Sequence, residues 1–349
     1  MHKKIVVGMS GGVDSSVAAM LLRDQGYEVI GVTLLLTPDG DLSGAQDAQR
    51  VAKKLDIEHR IVDLRSDFQA QVIDYFANEY LQGATPNPCV RCNREIKFGK
   101  MLEFARSLGA EQVATGHYAR VEYRDGRHLL MRSDSAKDQS YFLCMLRQDQ
   151  LAAAVFPICG MEKTDLRALA QEKDLPVAQK KDSQDVCFIP DNDYVSFICR
   201  TKNIEPAPGD FVDKDGNVLG QHKGILCYTV GQRKGLGAFG KPMFVTGIDP
   251  LHGRIILGEN GQQYADGLTA SDLNWIAFEN PPEKLECTVK IRFRAEPAHA
   301  SVKICDGRAK VFFDIPQRSV TPGQTIAFYD GNTVLGGGRI DAAIKGDFT

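Results

Sequence analysis

The chain is 349 residues long, 43% hydrophobic and 25% charged, with a net charge of −3. That length allows two or three domains around a sizeable core, and the ordinary composition, with no low-complexity tract, is that of a soluble globular protein. No apolar run approaches the roughly 18 residues that a membrane span needs, and no signal-peptide apolar region precedes Ile5-Val6-Val7, so a cytoplasmic location without a membrane partner is expected. A net charge near zero means that any nucleic acid must be met by a local basic patch. The nine cysteines are irregularly spaced; in a reducing compartment they serve as core fillers, metal ligands or reactive thiols rather than staples.

In chain order, Ile5–Gly8 reads as a strand, Ser15–Gln25 as a helix ended by Gly26, Val29–Leu35 as a strand, Ala45–Leu55 as a helix and His59–Val62 as a short strand. Asp67–Leu81 and Phe98–Leu108 read as helices separated by a loop over 83–94. Gln112–Ala114 reads as a strand, and Lys163–Lys173 as a helix capped by Glu162 or Thr164. This alternation predicts an α/β fold with a parallel sheet. From Pro206 the chain turns to glycines, turn pairs and short strands. Leu285–Arg294, Ala300–Ile304, Lys310–Phe313, Thr325–Tyr329 and Val334–Ile340 then read as five strands of a small β-barrel. The expected organisation is a catalytic domain over 1–203, a small β-rich domain over 204–268 and a barrel over 269–349.

Gly8-Met9-Ser10-Gly11-Gly12-Val13-Asp14-Ser15 joins the first strand to the first helix. Glycines admit close backbone approach to phosphate, and the free amides of a helix's first turn point at it. Ser10 and Ser15 add hydroxyls. Asp14, odd beside a polyanion, suggests a role with Mg²⁺. The loop is not GxxxxGK[ST], since it lacks the lysine that grips the β- and γ-phosphates; a pyrophosphate cradle without it suits cleavage between the α- and β-phosphates of ATP, leaving an adenylated substrate. SGGVDS resembles the signature of the PP-loop ATP pyrophosphatases, which implies that fold and adenylation chemistry but leaves the substrate open.

Thr85-Pro-Asn-Pro-Cys89-Val-Arg-Cys92-Asn-Arg-Glu-Ile-Lys97 presents two thiols beside Arg91, Arg94 and Lys97, and Lys180-Lys-Asp-Ser-Gln-Asp-Val-Cys187 a third after lysines. Neighbouring cations favour the thiolate. Cys144, Cys159, Cys199, Cys227, Cys287 and Cys305 lie among apolar residues or on strand patterns and read as structural. With these stretches, and with ATGHYAR, KDQSYFL, TVGQRKGLG, TPGQ and LGGG in order over residues 8–338, the chain resembles the tRNA-specific 2-thiouridylases along nearly its whole length.

That resemblance implies ATP-dependent 2-thiolation of the wobble uridine, position 34, of tRNAs for Lys, Glu and Gln. Cys92 is implied to be the nucleophile and Cys187 the persulfide carrier, joined as a disulfide during turnover; a cysteine desulfurase or sulfur-relay protein would supply the sulfur. The implied nucleotide contacts are Gly8, Met9, Ser10, Gly11, Gly12, Val13, Asp14, Ser15, Leu34 and Gly116. Those to tRNA or its target base are Asn87, Pro88, Cys89, His117, Lys137, Asp138, Gln139, Arg292, Phe293 and Gln324. Lys290-Ile-Arg292-Phe293-Arg294 alternates cations along one strand face, where phosphates could bind, and Gln232-Arg233-Lys234 is a further phosphate-binding candidate.

The chain departs from part of the family where some members carry aspartate, at Cys89, and where methionine is common near adenine, at Leu34; the segment after Leu36 is also short. Cys89, Cys92 and Cys187 could instead hold three irons of a [4Fe–4S] cluster. Two other functions stay open on the residues alone: a PP-loop enzyme that amidates or ligates a small molecule, which needs no thiol pair, and a catalytically silent tRNA-binding protein.

Overall fold

The computed structural model describes residues 3–37, 42–180, 186–189 and 191–346. Two compact units emerge: Met1–Ile73, Cys89–Phe188 and Gly331–Leu335 form one, and Asp74–Pro88, Ile189–Asp330 and Gly336–Thr349 the other.

The first unit opens with β1 (Lys4–Gly8), α1 (Val13–Asp24), β2 (Glu28–Leu35), α2 (Leu42–Leu55), β3 (Glu58–Asp63) and the short α3 (Arg65–Phe68), which runs into a π-helical turn at Gln69–Ile73. The chain leaves through α4 (Asp74–Leu81), part of the second unit, and returns by α5 (Pro88–Cys92), a π-helical segment at Asn93–Lys100 and α6 (Met101–Ser107). β4 (Gln112–Ala114), the hairpin β5 (Ala119–Arg124) and β6 (Arg127–Arg132), α7 (Gln148–Ala153), β7 (Ala154–Val155) and α8 (Lys163–Glu172) follow. The main sheet has the order β3-β2-β1-β4-β7, and every pair is parallel. The sheet is covered by α1, whose Val13, Val17, Met20 and Leu22 are buried with Ile5 and Val7 of β1 and Leu166 and Ala170 of α8. Burying each large apolar side chain of this kind contributes about 1.5–3 kcal/mol. Because the chain leaves β1 toward β2 on one side and β4 lies on the other, the crevice beyond the carboxyl ends of β1 and β4 is the place where open α/β sheets bind ligands.

Two local readings need correction. The loop expected over 83–94 is helical from Pro88 onward, so Cys89 and Cys92 sit on α5. Proline's fixed φ suits the first helical position, where its missing N–H is not needed. The single helix expected at Asp67–Leu81 is interrupted by a π-helical turn at Gln69–Ile73, and the one expected at Phe98–Leu108 starts within the π-helical segment Asn93–Lys100. The β5–β6 hairpin was not anticipated, although Asp125-Gly126 at its turn, with φ of 52° and 79°, is the dipeptide that such tight turns favour. Its β6 also pairs through Leu130 and Met131 with Val334 and Thr333. α8 does start after Glu162, whose side chain makes no cap hydrogen bond.

The second unit begins its downstream part with α9 (Tyr194–Lys202), capped by Asp193, which accepts from the Ser196 amide at 3.0 Å. A four-stranded sheet follows: β8 (Gly209–Val212), β9 (Val218–His222), β10 (Phe244–Asp249) and β11 (Arg254–Gly258), in the order β10-β11-β8-β9. Phe211, Tyr228, Val245 and Ile255 form its core. The remaining strands are β12 (Tyr264–Trp275), β13 (Lys284–Lys290), β14 (Ala298–Cys305), β15 (Arg308–Arg318), β16 (Thr325–Asp330) and β17 (Thr333–Ile344). They run in the order β12-β15-β14-β13-β16-β17, and β17 pairs back onto β12 to close a barrel. Closure needs a sixth strand beyond the five that alternation revealed. That strand, β12, is interrupted by Gly267, where a Cβ would lie 2.3 Å from the Val311 carbonyl. Close backbone approach, rather than alternating side chains, shapes it.

Candidate active site

The phosphate loop is already folded for an anion. Gly12 precedes α1 with φ −96° and ψ 167° and no side-chain cap, so the first amides of α1 stay free for a ligand. Ser15 Oγ accepts from the Ser10 amide at 3.2 Å, and the two serine hydroxyls are 3.3 Å apart, which closes the loop on itself. Gly11 has φ +72°, and a Cβ there would meet the Gly44 carbonyl at 2.2 Å; only glycine fits. Gly116, after β4, packs against the loop from the far side, where a Cβ would lie 2.8 Å from the Ser15 nitrogen.

These pieces line a cavity of ≈ 420 Å³ with Gly8, Met9, Asp14, Leu34, His117, Gln139, Lys97 and Cys187, a volume within the range of small-molecule sites. The phosphate loop, an apolar wall and a thiol share one space. Leu34 stands on that wall at the end of β2, with Leu35 and Leu36 beside it. Asp14 has a partner that the sequence did not disclose: its Oδ1 accepts from Lys163 Nζ at 2.5 Å and from the Tyr118 hydroxyl at 3.2 Å. Among the described residues no group of three His, Cys, Asp or Glu side chains is assembled to hold a metal ion.

Cys89, Cys92 and Cys187 come together in this unit. Cys187 is near enough for its charge to act on both Cys89 and Cys92. All nine cysteines are free; Cys89 and Cys187 are exposed and Cys92 is buried. Residues 181–185, the rest of the stretch before Cys187, lie outside the described residues, as do 38–41 after the short segment at Leu36. The cations expected to favour thiolates do so only in part. Arg91 turns to the Gln71 carbonyl at 3.2 Å and toward Glu95, and Arg94 lies 3.4 Å from the same carboxylate. Lys97 alone among the three is found to lower the thiols' pKa, and at all of them burial outweighs it. The Cys92 thiol is pushed up to about 12, and those of Cys89 and Cys187 are raised as well. A thiol at the floor of a cleft touches solvent yet is poorly hydrated, which disfavours the anion. His117 accepts from or donates to Thr115 Oγ1 through Nδ1 at 2.7 Å. Desolvation first, and Lys97 second, hold its pKa well below the usual histidine value.

The chain as a sequence has close kin. Residues 3–191 match the family profile described as tRNA methyl transferase HUP domain, residues 196–259 the tRNA methyl transferase PRC-barrel domain, and residues 265–340 the aminomethyltransferase beta-barrel domain. A tRNA-specific 2-thiouridylase MnmA of Clostridium perfringens (strain ATCC 13124) is 47% identical over 98% of this chain and 99% of its own. Its counterpart in Desulfitobacterium hafniense (strain Y51) is 49% identical over 97% of this chain and 98% of its own. The chain belongs to the tRNA-specific 2-thiouridylase family. Among solved structures, a 4-thiouridine synthetase–RNA complex with bound ATP matches at a TM-score of 0.36 and 18% identity, over 57% of this chain and 50% of that one.

In this 2-thiouridylase-family chain the RNA-facing candidates divide by what their side chains already hold. Asp138 accepts from Arg132 Nε, the Ser133 and Ser140 amides and the Ser140 hydroxyl at 3.0–3.2 Å, which makes it a hub of its own turn. Arg292 donates to the Ser319 carbonyl at 2.7 Å, the Val230 carbonyl at 3.3 Å and the Thr321 hydroxyl, tying together segments of the second unit. Gln324 donates to the Thr85 carbonyl at 2.7 Å and the Pro86 carbonyl at 3.3 Å. Gln139 lines the cavity while its Oε1 accepts from the Tyr118 amide at 3.2 Å. Phe293 lies with its ring centroid 5.8 Å from Lys290 Nζ. Lys137 stands beside Asp138, and Asn87 and Pro88 directly precede Cys89. Sequence reasoning missed Lys163, which carries no motif and is 149 residues from Asp14.

Proposed function

We propose that this protein is an ATP-dependent tRNA-uridine 2-sulfurtransferase acting at wobble position 34. The observation that carries the reading is that an adenylating-type phosphate loop and Cys187 line the same cavity, with Cys89 and Cys92 within electrostatic reach of Cys187.

Uridine O2 is a poor leaving group. In the proposed reaction O2 attacks the α-phosphorus of ATP and pyrophosphate leaves into the amides of α1. The terminal sulfur of a persulfide on Cys187 then attacks C2, forming a C–S bond as the C–O bond to AMP breaks. The Cys92 thiolate attacks Cys187 Sγ, the S–S bond to the transferred sulfur breaks, and 2-thiouridine is released with a Cys92–Cys187 disulfide left behind. A thiol reductant reopens it. The persulfide is supplied by a cysteine desulfurase or sulfur-relay protein. The expected tRNAs are those for Lys, Glu and Gln.

Mg²⁺ is usually held by one or two carboxylates together with substrate phosphates; Asp14 is the carboxylate of the loop and would hold it, and the ion would screen the phosphate charge. For a [4Fe–4S] cluster, Cys89, Cys92 and Cys187 are the residues that would hold it; among the described residues no group of three His, Cys, Asp or Glu side chains is assembled to hold a metal ion.

The test combines purified protein, ATP, Mg²⁺, a persulfide donor and unmodified tRNA, with thiolated uridine as the readout. Thiolation abolished by Cys92→Ala and by Cys187→Ala supports the reading; thiolation unchanged in either variant rejects it. Iron and sulfide analysis of anaerobically purified protein checks the cluster, and stoichiometric iron required for activity would replace the persulfide scheme.

A further inference from the structure

Gln324 occupies the Thr321-Pro-Gly-Gln turn before β16, where a side-chain amide looks like a handle for RNA. Its donor is already in use. Gln324 Nε2 donates to the Thr85 carbonyl at 2.7 Å and to the Pro86 carbonyl at 3.3 Å, and the Thr85 amide donates to the Pro322 carbonyl at 2.8 Å. The turn is fastened to the barrel from behind: the Gly323 amide donates to the Ile340 carbonyl at 2.8 Å and the Ile340 amide to the Gln324 carbonyl at 2.8 Å. One residue before β17's Ile340, Arg339 reaches Glu79 Oε2 at 2.7 Å, on α4, which leads to the same segment.

Gly323 shows how close the fit is. Its φ is +86°, and a Cβ there would lie 2.9 Å from both Ala84 Cβ and the Thr85 nitrogen. Proline at 86 has no amide with which to fix itself, so beyond the Thr85 amide and hydroxyl the Thr85 and Pro86 carbonyls are groups by which this stretch can be held. The stretch continues directly into Asn87-Pro88 and then Cys89 and Cys92 on α5.

We propose that the Pro322-Gly323-Gln324 turn is a positioning clamp for the chain that enters the thiol helix, with Gln324 acting on the reaction through the Thr85 and Pro86 carbonyls. This rests on the proposed thiolation chemistry for its consequence, but not for its first readout. The clamp sets where α5 begins and therefore how Cys89 and Cys92 are presented. Misplacement of a reacting group by about an ångström can lower a rate about a hundredfold, so partial loosening is expected to lower kcat about tenfold.

The experiment uses the full chain carrying Gln324→Ala and, separately, Gly323→Ala. The second adds no group that could meet RNA and removes none, yet it pushes on Ala84 and Thr85. Three quantities are measured after each variant's folding is checked by its thermal transition: the rate of iodoacetamide labelling at Cys89 and Cys92, read by mass spectrometry without tRNA or ATP; tRNA affinity by filter binding; and the steady-state constants of thiolation. The clamp predicts altered labelling in both variants, kcat down about tenfold and tRNA affinity within about twofold of the parent. Unchanged labelling with tRNA affinity lost in Gln324→Ala alone overturns it and makes Gln324 a plain RNA contact. Unchanged labelling in both variants overturns it whatever the activity. If labelling changes but the parent protein does not thiolate tRNA, the clamp stands and the proposed function falls. A variant that unfolds is replaced by Gln324→Glu, which keeps the size and removes the donor; normal labelling in it overturns the clamp.

Discussion

Lys163 Nζ lies 2.5 Å from Asp14 Oδ1, joining the start of α8 to the first turn of α1. The loop lacks the lysine of the commoner phosphate-binding loops, and the structure brings one to it from a distant helix. The pair neutralises a carboxylate that would otherwise face a triphosphate alone.

Lys163→Met should therefore weaken ATP binding. Losing a charge-assisted hydrogen bond of about 1.5–3 kcal/mol predicts an increase in Kd of about tenfold or more, measured by calorimetry with ATP and Mg²⁺. Asp14→Asn added to Lys163→Met, titrated with ATP in EDTA so that no Mg²⁺ takes part, should recover part of the loss if charge neutralisation is the role; no recovery would mean that Lys163 meets the nucleotide itself.

Burial raises the thiols at Cys89, Cys92 and Cys187, and Lys97 opposes it at each. Among the described residues the Lys97 ammonium makes no hydrogen bond or ion pair. The reactive thiols are thus mostly protonated at neutral pH, and sulfur transfer should accelerate as pH rises from about 7 to about 9. Lys97→Met removes the opposing charge, so the rise should move about one pH unit higher, seen in single-turnover thiolation against pH. An unmoved profile would exclude Lys97 as the charge that matters.

His117 stays neutral in the folded protein because desolvation and Lys97 lower its pKa far below the ordinary value. The unfolded chain takes up that proton below about pH 6.5, while the folded chain does not. Stability from this group is present above that pH and is lost as pH falls. Denaturant midpoints between about pH 7.5 and about pH 5 should fall less in His117→Gln than in the parent.

Arg292 is tied to two carbonyls and a hydroxyl within the second unit. Arg292→Gln should lower stability by about 2 kcal/mol, read by urea unfolding. A variant of parental stability with a flatter salt dependence of tRNA binding would instead give Arg292 a phosphate.

Legibility differed by the range of the interaction. Gly8 to Ser15 could be read in sequence because a phosphate loop is a local object: strand, glycines and helix start are consecutive, and its function follows from backbone amides that the same segment supplies. The thiols of Cys89, Cys92 and Cys187 were recognisable as candidates for the same reason, from nearby cations and prolines. The sign of their pKa shift was not, since burial is set by the whole unit and overrode the charges beside them. Likewise Asp138 and Arg292 looked free for RNA because their partners, backbone carbonyls and amides together with the side chains of Arg132, Ser140 and Thr321, form no recognisable motif with them.

By itself, then, the sequence determined the α/β alternation, the anion-binding loop, the three candidate thiols and the barrel-type strands, all of which depend on spacing within a few residues. Only the tertiary structure decided that Lys163 answers Asp14, that Lys97 rather than Arg91 acts on the thiols, that a sixth strand closes the barrel, and that Gln324 holds the Thr85–Pro86 carbonyls. Each of these joins groups far apart in the chain through geometry that composition does not encode: a 2.5 Å ion pair across 149 residues leaves no periodicity and no motif in either segment.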